Sequence, residues 1–295
     1  MSSVFLKLLN LPAMFAHLYK RRKKTKVHDP SNDLELALYA TIFGNNFLHY
    51  GYFKNPPKDP ESISMADIKK AMNDYAELLV DRVKKDEKAI ELGCGMGGLL
   101  TKLDKKGVDI SGLTPDLSQI KHINKTWSHI KTYNYKLEDL PLEGVGEFDV
   151  VINSESFQYV DMQKGMKKVD RLLKKNGRWI MSDYFRLKAD SKNKSGHILS
   201  EFETQLTKNG FKIVERVDIT KNTIPTLQYG FLLANNLALP VAKFSAQKFF
   251  LRHSFLEYLF AQKIKDKLDN VRLNTLDEKI FIKEKIYLLL TIERI

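Results

Sequence analysis

From residue 88 onward, apolar runs of strand length alternate with stretches whose apolar positions recur at helical spacing. Lys88–Leu92, Val108–Leu113, Lys131–Lys136, Phe148–Asn153, Arg178–Asp183, Phe211–Ile219 and Lys285–Glu293 read as strands. Met96–Lys105, Asp116–Trp127, Met162–Lys174 and Ile198–Asn209 read as helices between them. This alternation predicts an α/β class: a Rossmann-like, doubly wound sheet of seven strands, mostly parallel, with helices on both faces. Ahead of it, Asp33–Phe47 carries Leu34, Leu38 and Ile42 at helical spacing, and Ser64–Val83 carries Ile68, Met72, Tyr75 and Leu79. Ser64 is placed to cap that second helix, with Asp67 in its first turn. Lys54–Pro60 holds three prolines in seven residues and must be a loop. Residues 222–278 are too long for a loop, and their Phe, Leu and Lys content predicts helices inserted as a cap before the last strand. The expected organisation is an N-terminal segment 1–30, a helical lid 31–87, and a main domain 88–295 interrupted by the insertion.

Composition narrows the class without choosing a function. The 295 residues are 43% apolar and 28% charged, which excludes a disordered chain or a disulfide scaffold. The longest apolar stretch, Phe231–Phe244, is broken by Asn235, Asn236 and Pro240, so no membrane-spanning helix is expected. The single cysteine, Cys94, has no partner within the chain and points to a cytoplasmic, reducing location.

The net charge of +12 sits at the ends: +6 over residues 1–30, +1 over 31–220 and +5 over 221–295. A nucleic-acid enzyme more often carries its basic surface beside the active site, so no nucleic-acid partner is expected, although RNA methylation stays open as an account of the basic ends. At the N-terminus, Val4, Phe5, Leu8, Leu11, Phe15, Leu18 and Tyr19 keep helical spacing, and the basic run Lys20–Lys26 follows. Such a segment could rest on an anionic bilayer, making the protein peripheral through residues 1–26. It could equally be a docked helix and a solvated linker, a handle for an acidic partner, or an arm exchanged within a homo-oligomer.

The sharpest local signal is Ala89-Ile90-Glu91-Leu92-Gly93-Cys94-Gly95-Met96-Gly97-Gly98, an apolar strand running into glycines and then a helix. Glycines suit a sharp turn at which a ligand touches backbone. Gly93-x-Gly95-x-x-Gly98 also satisfies the dinucleotide fingerprint, which leaves an NAD-binding oxidoreductase open. A dinucleotide site wants an acid at the end of the next strand, and Gly112-Leu113-Thr114 ends without one.

The stretch from Glu91 to Gly97, E-x-G-x-G-x-G, resembles motif I of class I S-adenosylmethionine-dependent methyltransferases. Gly112-Leu113-Thr114-Pro115-Asp116-Leu117-Ser118-Gln119 is similar to a segment of the branch that holds cyclopropane-fatty-acid synthases and sterol, tocopherol and sarcosine methyltransferases. His49-Tyr50-Gly51-Tyr52, Glu138-Asp139-Leu140-Pro141-Leu142 and Phe148–Ser156 resemble three more of that branch's segments, in its order. The resemblance covers roughly residues 33–220. It implies S-adenosyl-L-methionine as cofactor and methyl transfer to a small apolar or lipid-like molecule at carbon, nitrogen or oxygen. By resemblance, Glu91, Gly93, Cys94, Gly95 and Gly97 hold the methionine part, while Thr114 and Gln119 serve the ribose and adenine. Lys136 stands where the branch often has an Asp, so adenine would lean on the backbone at Lys136 and Leu137. Asn153 and Tyr50 complete the expected cofactor set, and no metal is expected.

Cyclopropane synthases carry a Glu-His pair after strand four and an upstream Cys; here Gln158, Tyr159 and Tyr50 stand at those positions, which disfavours cyclopropane formation. Candidates for catalysis are Glu155, Tyr159 and His49. Glu155 follows the fourth strand, at the sheet edge where ligands sit; a helix-end charge would explain it equally. The rings of Tyr39, Tyr50, Tyr52, Phe53, Phe157 and Tyr159 could shape an apolar pocket or face a cationic centre, and core packing would explain them too.

Overall fold

The computed structural model describes residues 12, 13, 16 and 34–295, apart from 192, 193, 272, 274 and 275. The expectations for residues 1–26 therefore lie almost wholly outside the described residues. Seven strands form one sheet: β1 Lys88–Leu92, β2 Asp109–Leu113, β3 Lys131–Tyr133, β4 Phe148–Ser154, β5 Leu173–Arg186, β6 Phe211–Asp218 and β7 Lys285–Arg294. Their order is β3-β2-β1-β4-β5-β7-β6. The pairs from β3 to β5 are parallel, and β7 runs antiparallel between β5 and β6. The mostly parallel, seven-stranded sheet is the architecture expected from the alternation. β5 is longer than expected at both ends: its pairing with β7 continues out to Arg186, and Leu173 pairs with Phe148 of β4.

The helices are α1 Leu34–Phe43, α2 Met65–Val80, α3 Gly98–Lys106, α4 Leu117–Thr126, α5 Met162–Leu172, α6 Leu199–Lys208, α7 Thr220–Leu233, α8 Leu239–Phe250, α9 Ser254–Asp269 and α10 Glu278–Glu284. Period-two alternation in fully buried strands sends neighbouring side chains into different cores. Val150 and Ile152 join Tyr75, Leu79, Leu99 and Tyr287 on one face. Val151 joins Met181, Trp179, Phe202 and Phe211 on the other. Each such large side chain, fully buried, contributes about 1.5–3 kcal/mol. Ser64 and Asp67 form the expected reciprocal cap of α2, a device worth about 1 kcal/mol.

Two features position the site. Residues 46–53 are clamped between α2 and α7: Tyr52 N–H donates to Ala71 O at 2.8 Å, and Phe53 N–H to Asn222 O at 2.9 Å. Gly51 is needed there, since a Cβ on it would stand 2.6 Å from Ala71 Cβ. The inserted helices precede β7 as expected, but their second half departs from the sheet. α8 and α9 pack on each other, and α9 has no buried residue.

Candidate active site

The carboxyl ends of β1, β2 and β4 open into a cavity of about 490 Å³. β1 lies between β2 and β4, the place in such sheets where connections diverge and ligands bind. The described lining comes from residues 39–49 and from the segments after β1, β2, β3 and β4. Among the described residues, none from 222 to 278 lines it, so the insertion expected as a cap does not roof this cavity. Of the insertion's apolar residues, Ile224 and Leu227 join the core around Tyr75 and Tyr287, Tyr229 packs with Ile68 and Met72, and α8 and α9 leave most of theirs exposed.

The cofactor-side candidates separate once placed. Gly93 and Gly95 line the cavity with φ of 87° and 52°. A Cβ on Gly93 would stand 2.3 Å from Ser156 Cβ, and on Gly95 3.2 Å from Leu48 Cδ1. Only glycine lets the loop after β4 and the upstream segment close against this turn. Cys94 lines the cavity but its thiol is turned into packing, close enough to Gly112 that a Cβ there would meet Sγ at 2.9 Å. Burial raises that thiol well above its ordinary range. Gly97 is not in the lining; a Cβ there would meet Ile123 and Trp127, so its role is to seat α3 against α4.

Glu91 is the outlier of this group. Its side chain is buried and faces the cavity, and Oε2 has no hydrogen-bond partner. Burial alone pushes its carboxyl up to about 8. A buried carboxylate left without a partner is costly and marks a place where a donor or positive charge belongs. Opposite it, Thr114 donates to Gln119 Oε1 at 2.7 Å, fixing the amide at the cavity wall. Asp116 caps α4 through Ser118 N–H and Gln119 N–H. Lys136 and Leu137 form the wall after β3. Asn153 lines the cavity with its amide engaged at both ends: Nδ2 donates to Leu92 O at 3.1 Å and Ser156 Oγ at 2.8 Å, and Oδ1 accepts from Trp179 Nε1 at 2.8 Å. It ties β4 to the end of β1.

The second half of the cavity is built around Glu155. This residue sits in the left-handed region at φ 49°, a conformation costing about 1–3 kcal/mol that persists only where its surroundings impose it. Glu155 N–H donates to Ser182 O at 2.8 Å. Its Oε1 accepts from Tyr50 N–H at 2.5 Å and from Tyr287 OH at 2.5 Å. Tyr287 OH also lies 3.0 Å from Tyr75 OH, which in turn donates to Ser182 O at 3.3 Å. Burial raises the Glu155 carboxyl to about 8; the two donors oppose the rise and the neighbouring Asp183 adds to it. Asp183 is itself raised to about 7 by burial, despite accepting from Gln158 N–H and Tyr184 N–H.

His49 lines the same half, stacked on Tyr75 with centroids 4.1 Å apart. Its Nδ1 lies 2.8 Å from Tyr50 O, which can only accept, so Nδ1 carries the proton and Nε2 is the bare acceptor. Nε2 is buried with no partner, and burial lowers the imidazole to about 4, so it is neutral at pH 7. Tyr159 stands at the rim, 76% exposed. Tyr50 is absent from the lining: its ring packs on Tyr184, Tyr287 and Phe281, and its contribution to the site is its backbone N–H. Phe157 is likewise core, against Trp179.

Tyr75, Tyr287, Ser156 and Asp183 are site residues the sequence reading missed. Tyr75 and Tyr287 look like ordinary core positions in a helix and a strand, and 132 residues separate Tyr287 from Glu155. Ser156 and Asp183 follow β4 and lie in β5, where the sheet-edge rule could have flagged them.

Residues 90–181 match a family model described as a methyltransferase domain. Over those residues the chain carries a methyltransferase domain, on a fold it shares with solved methyltransferases. It is 24% identical over 217 residues to the sterol 4-C-methyltransferase strm-1 of Caenorhabditis elegans, covering 67% of this chain and 63% of that protein. It is 25% identical over 159 residues to a sarcosine/dimethylglycine N-methyltransferase of Aphanothece halophytica, covering 50% and 54%. The matched part thus spans less than two thirds of either relative. In structure it resembles geranyl diphosphate C-methyltransferase from Streptomyces coelicolor A3(2), solved with Mg2+, geranyl diphosphate and S-adenosyl-L-homocysteine, with a TM-score of 0.58 and 18% identity. That likeness covers 84% of this chain and 91% of the other. It supports the fold, and function has to be argued from the site.

Proposed function

We propose that this methyltransferase binds S-adenosyl-L-methionine in the β1–β2 half of the cavity and methylates a small apolar or lipid-like molecule in the other half. The observation that carries the reading is the buried, unpartnered Glu91 Oε2 beside the Gly93–Gly95 turn. A zwitterionic ligand with a sulfonium centre offers both the donors and the positive charge that such a carboxylate needs. The residues present fit the group: Glu91 and the glycine turn would hold its methionine part, Thr114 and Gln119 its ribose, and Lys136 and Leu137 its adenine. Bound there, the cofactor supplies an electrophilic methyl group, and alignment with the acceptor provides much of the rate.

The chain's own chemistry lies at Glu155 and His49. Glu155, raised to about 8, is matched to holding and releasing a proton near neutral pH. With both donors on Oε1, the exchangeable proton belongs on Oε2. His49 is too weakly basic to take a proton at pH 7, and its bare Nε2 is suited to receiving a hydrogen bond from a substrate hydroxyl or amine. Tyr159 at the rim would close over an apolar acceptor. Peripheral attachment to anionic membrane through residues 1–26 would deliver such acceptors, and a cytoplasmic site and self-association are consistent with this reading.

Incubating cell extract with radiolabelled S-adenosyl-L-methionine and the protein, then separating lipids, polar small molecules and RNA, tests the substrate class. Label in the lipid or apolar fraction is expected. Label confined to RNA, together with tight, steeply salt-dependent RNA binding, would replace this reading with RNA methylation.

A further inference from the structure

We propose that the α8–α9 hairpin is a docking element whose apolar tip enters the head-group layer of an anionic bilayer. The inference rests on described residues, independently of residues 1–26 and of the reaction catalysed. Three side chains around the turn, Leu251, Phe255 and Tyr258, are 84%, 72% and 87% exposed. Phe249 and Leu259 extend the same surface. No residue of α9 is buried, which is unusual for a helix that begins with Phe255, Leu256, Tyr258, Leu259 and Phe260. In water, such a helix should bury its apolar side chains against a neighbour.

What covers it follows from the arrangement of charge. Apolar groups lie around most of the circumference of the first two turns of α9. A flat protein partner would shield one side of such a tip, whereas lipid surrounds it. Lys248 and Arg252 stand beside the tip, against one nearby acid, Glu257. Over residues 239–269, six Lys or Arg face three Asp or Glu. Toward the base come Lys263, Lys265 and Lys267, and the Lys243–Asp269 ion pair at 2.7 Å ties the two helices together there. An aromatic tip with flanking cations that can reach phosphates is the distribution of an interfacial, non-spanning element. Among the described residues no helix is long and apolar enough to cross a membrane. A second copy would meet the same cations with its own.

The test is flotation of the full chain with phosphatidylcholine vesicles, with and without phosphatidylglycerol. Wild type should float with the anionic vesicles. The triple variant Leu251→Ser/Phe255→Ser/Tyr258→Ser should partition at least about tenfold less, with an unchanged melting temperature because all three side chains are exposed. Lys248→Gln/Arg252→Gln should lose binding to anionic vesicles only. In an otherwise wild-type chain, Tyr258→Trp should give an added, blue-shifted emission on anionic vesicles. Equal flotation of wild type and triple variant would overturn the proposal, as would failure of wild type to float. Dimers of wild type in lipid-free buffer that the triple variant abolishes would overturn it too, assigning the face to a second copy.

Discussion

The two halves of the cavity are assembled in opposite ways. The half around Glu91 comes from short stretches of chain at the ends of adjacent parallel strands, and its key contacts are local: Thr114 to Gln119, and Asp116 to the first turn of α4. The half around Glu155 is gathered from the 46–53 segment, α2, β4, β5 and β7, through contacts such as Tyr50 to Glu155 and Tyr287 to Glu155. The first half, the proposed cofactor seat, is shaped mainly by backbone turns. The second is a buried polar network, in which each member is held by another and each removal leaves a group unsatisfied. Cofactor affinity and turnover should therefore be separable by mutation.

The largest expected effect is on the first half. Gly95→Val should reduce S-adenosylhomocysteine affinity by at least about a hundredfold, roughly 2.7 kcal/mol, while circular dichroism reports an intact fold. The positive φ strains any side chain there and its Cβ would press on Leu48, so the turn could not keep the shape that lines the cavity. Retained affinity would show that the turn does not approach the cofactor.

Next is Glu155→Gln, which keeps the shape and removes the proton-holding group. Turnover should fall at least about tenfold, some 1.4 kcal/mol of barrier, with cofactor affinity unchanged. Equal turnover would reduce Glu155 to a structural acceptor.

Tyr287→Phe should act more mildly and through Glu155. The tyrosine hydroxyl holds the Glu155 carboxyl down against burial, so its loss should raise that group further. The rise of turnover with pH that tracks Glu155 deprotonation should move to higher pH, with a loss of about three- to tenfold at pH 7. A lower rate with an unmoved profile would mean that Tyr287 serves packing alone.

The smallest effect is on stability. Glu91 and Glu155 are raised in the folded protein from about 4.5 to about 8. The folded state therefore holds these protons more tightly than the unfolded chain does. The associated stability is complete below about pH 4.5 and is lost as pH rises through about 8. The ligand-free melting temperature should fall between pH 6 and pH 9, and Glu91→Gln or Glu155→Gln should flatten that fall. A melting temperature that climbs over this range would contradict the burial of both acids as carboxylic acids.

The same contrast explains what could be read in advance. Strand and helix periodicity carried the seven-stranded sheet, and the glycine turn with Thr114 and Gln119 carried one wall of the cavity, because both depend on spacing within a few residues. Tyr287 and Tyr75 were invisible because an apolar strand and an amphipathic helix hide a working hydroxyl among core positions. Gly97 and Tyr50 show the converse. A motif residue can serve the packing of α3 on α4, or lend only its N–H, without its side chain reaching the ligand. The exposed hairpin could not be foreseen, since an apolar helix in sequence is expected to find a core.

On the proposed function, Glu91 and the glycine turn form a cofactor seat whose affinity does not depend on the Glu155 carboxyl. Calorimetric titration of S-adenosylhomocysteine and of NAD into wild type, Glu91→Gln and Glu155→Gln tests it most directly. S-adenosylhomocysteine should bind wild type and Glu155→Gln equally and Glu91→Gln at least about tenfold more weakly, and NAD should give no heat. Binding of NAD in place of S-adenosylhomocysteine, or an equal loss of affinity in both variants, would contradict it.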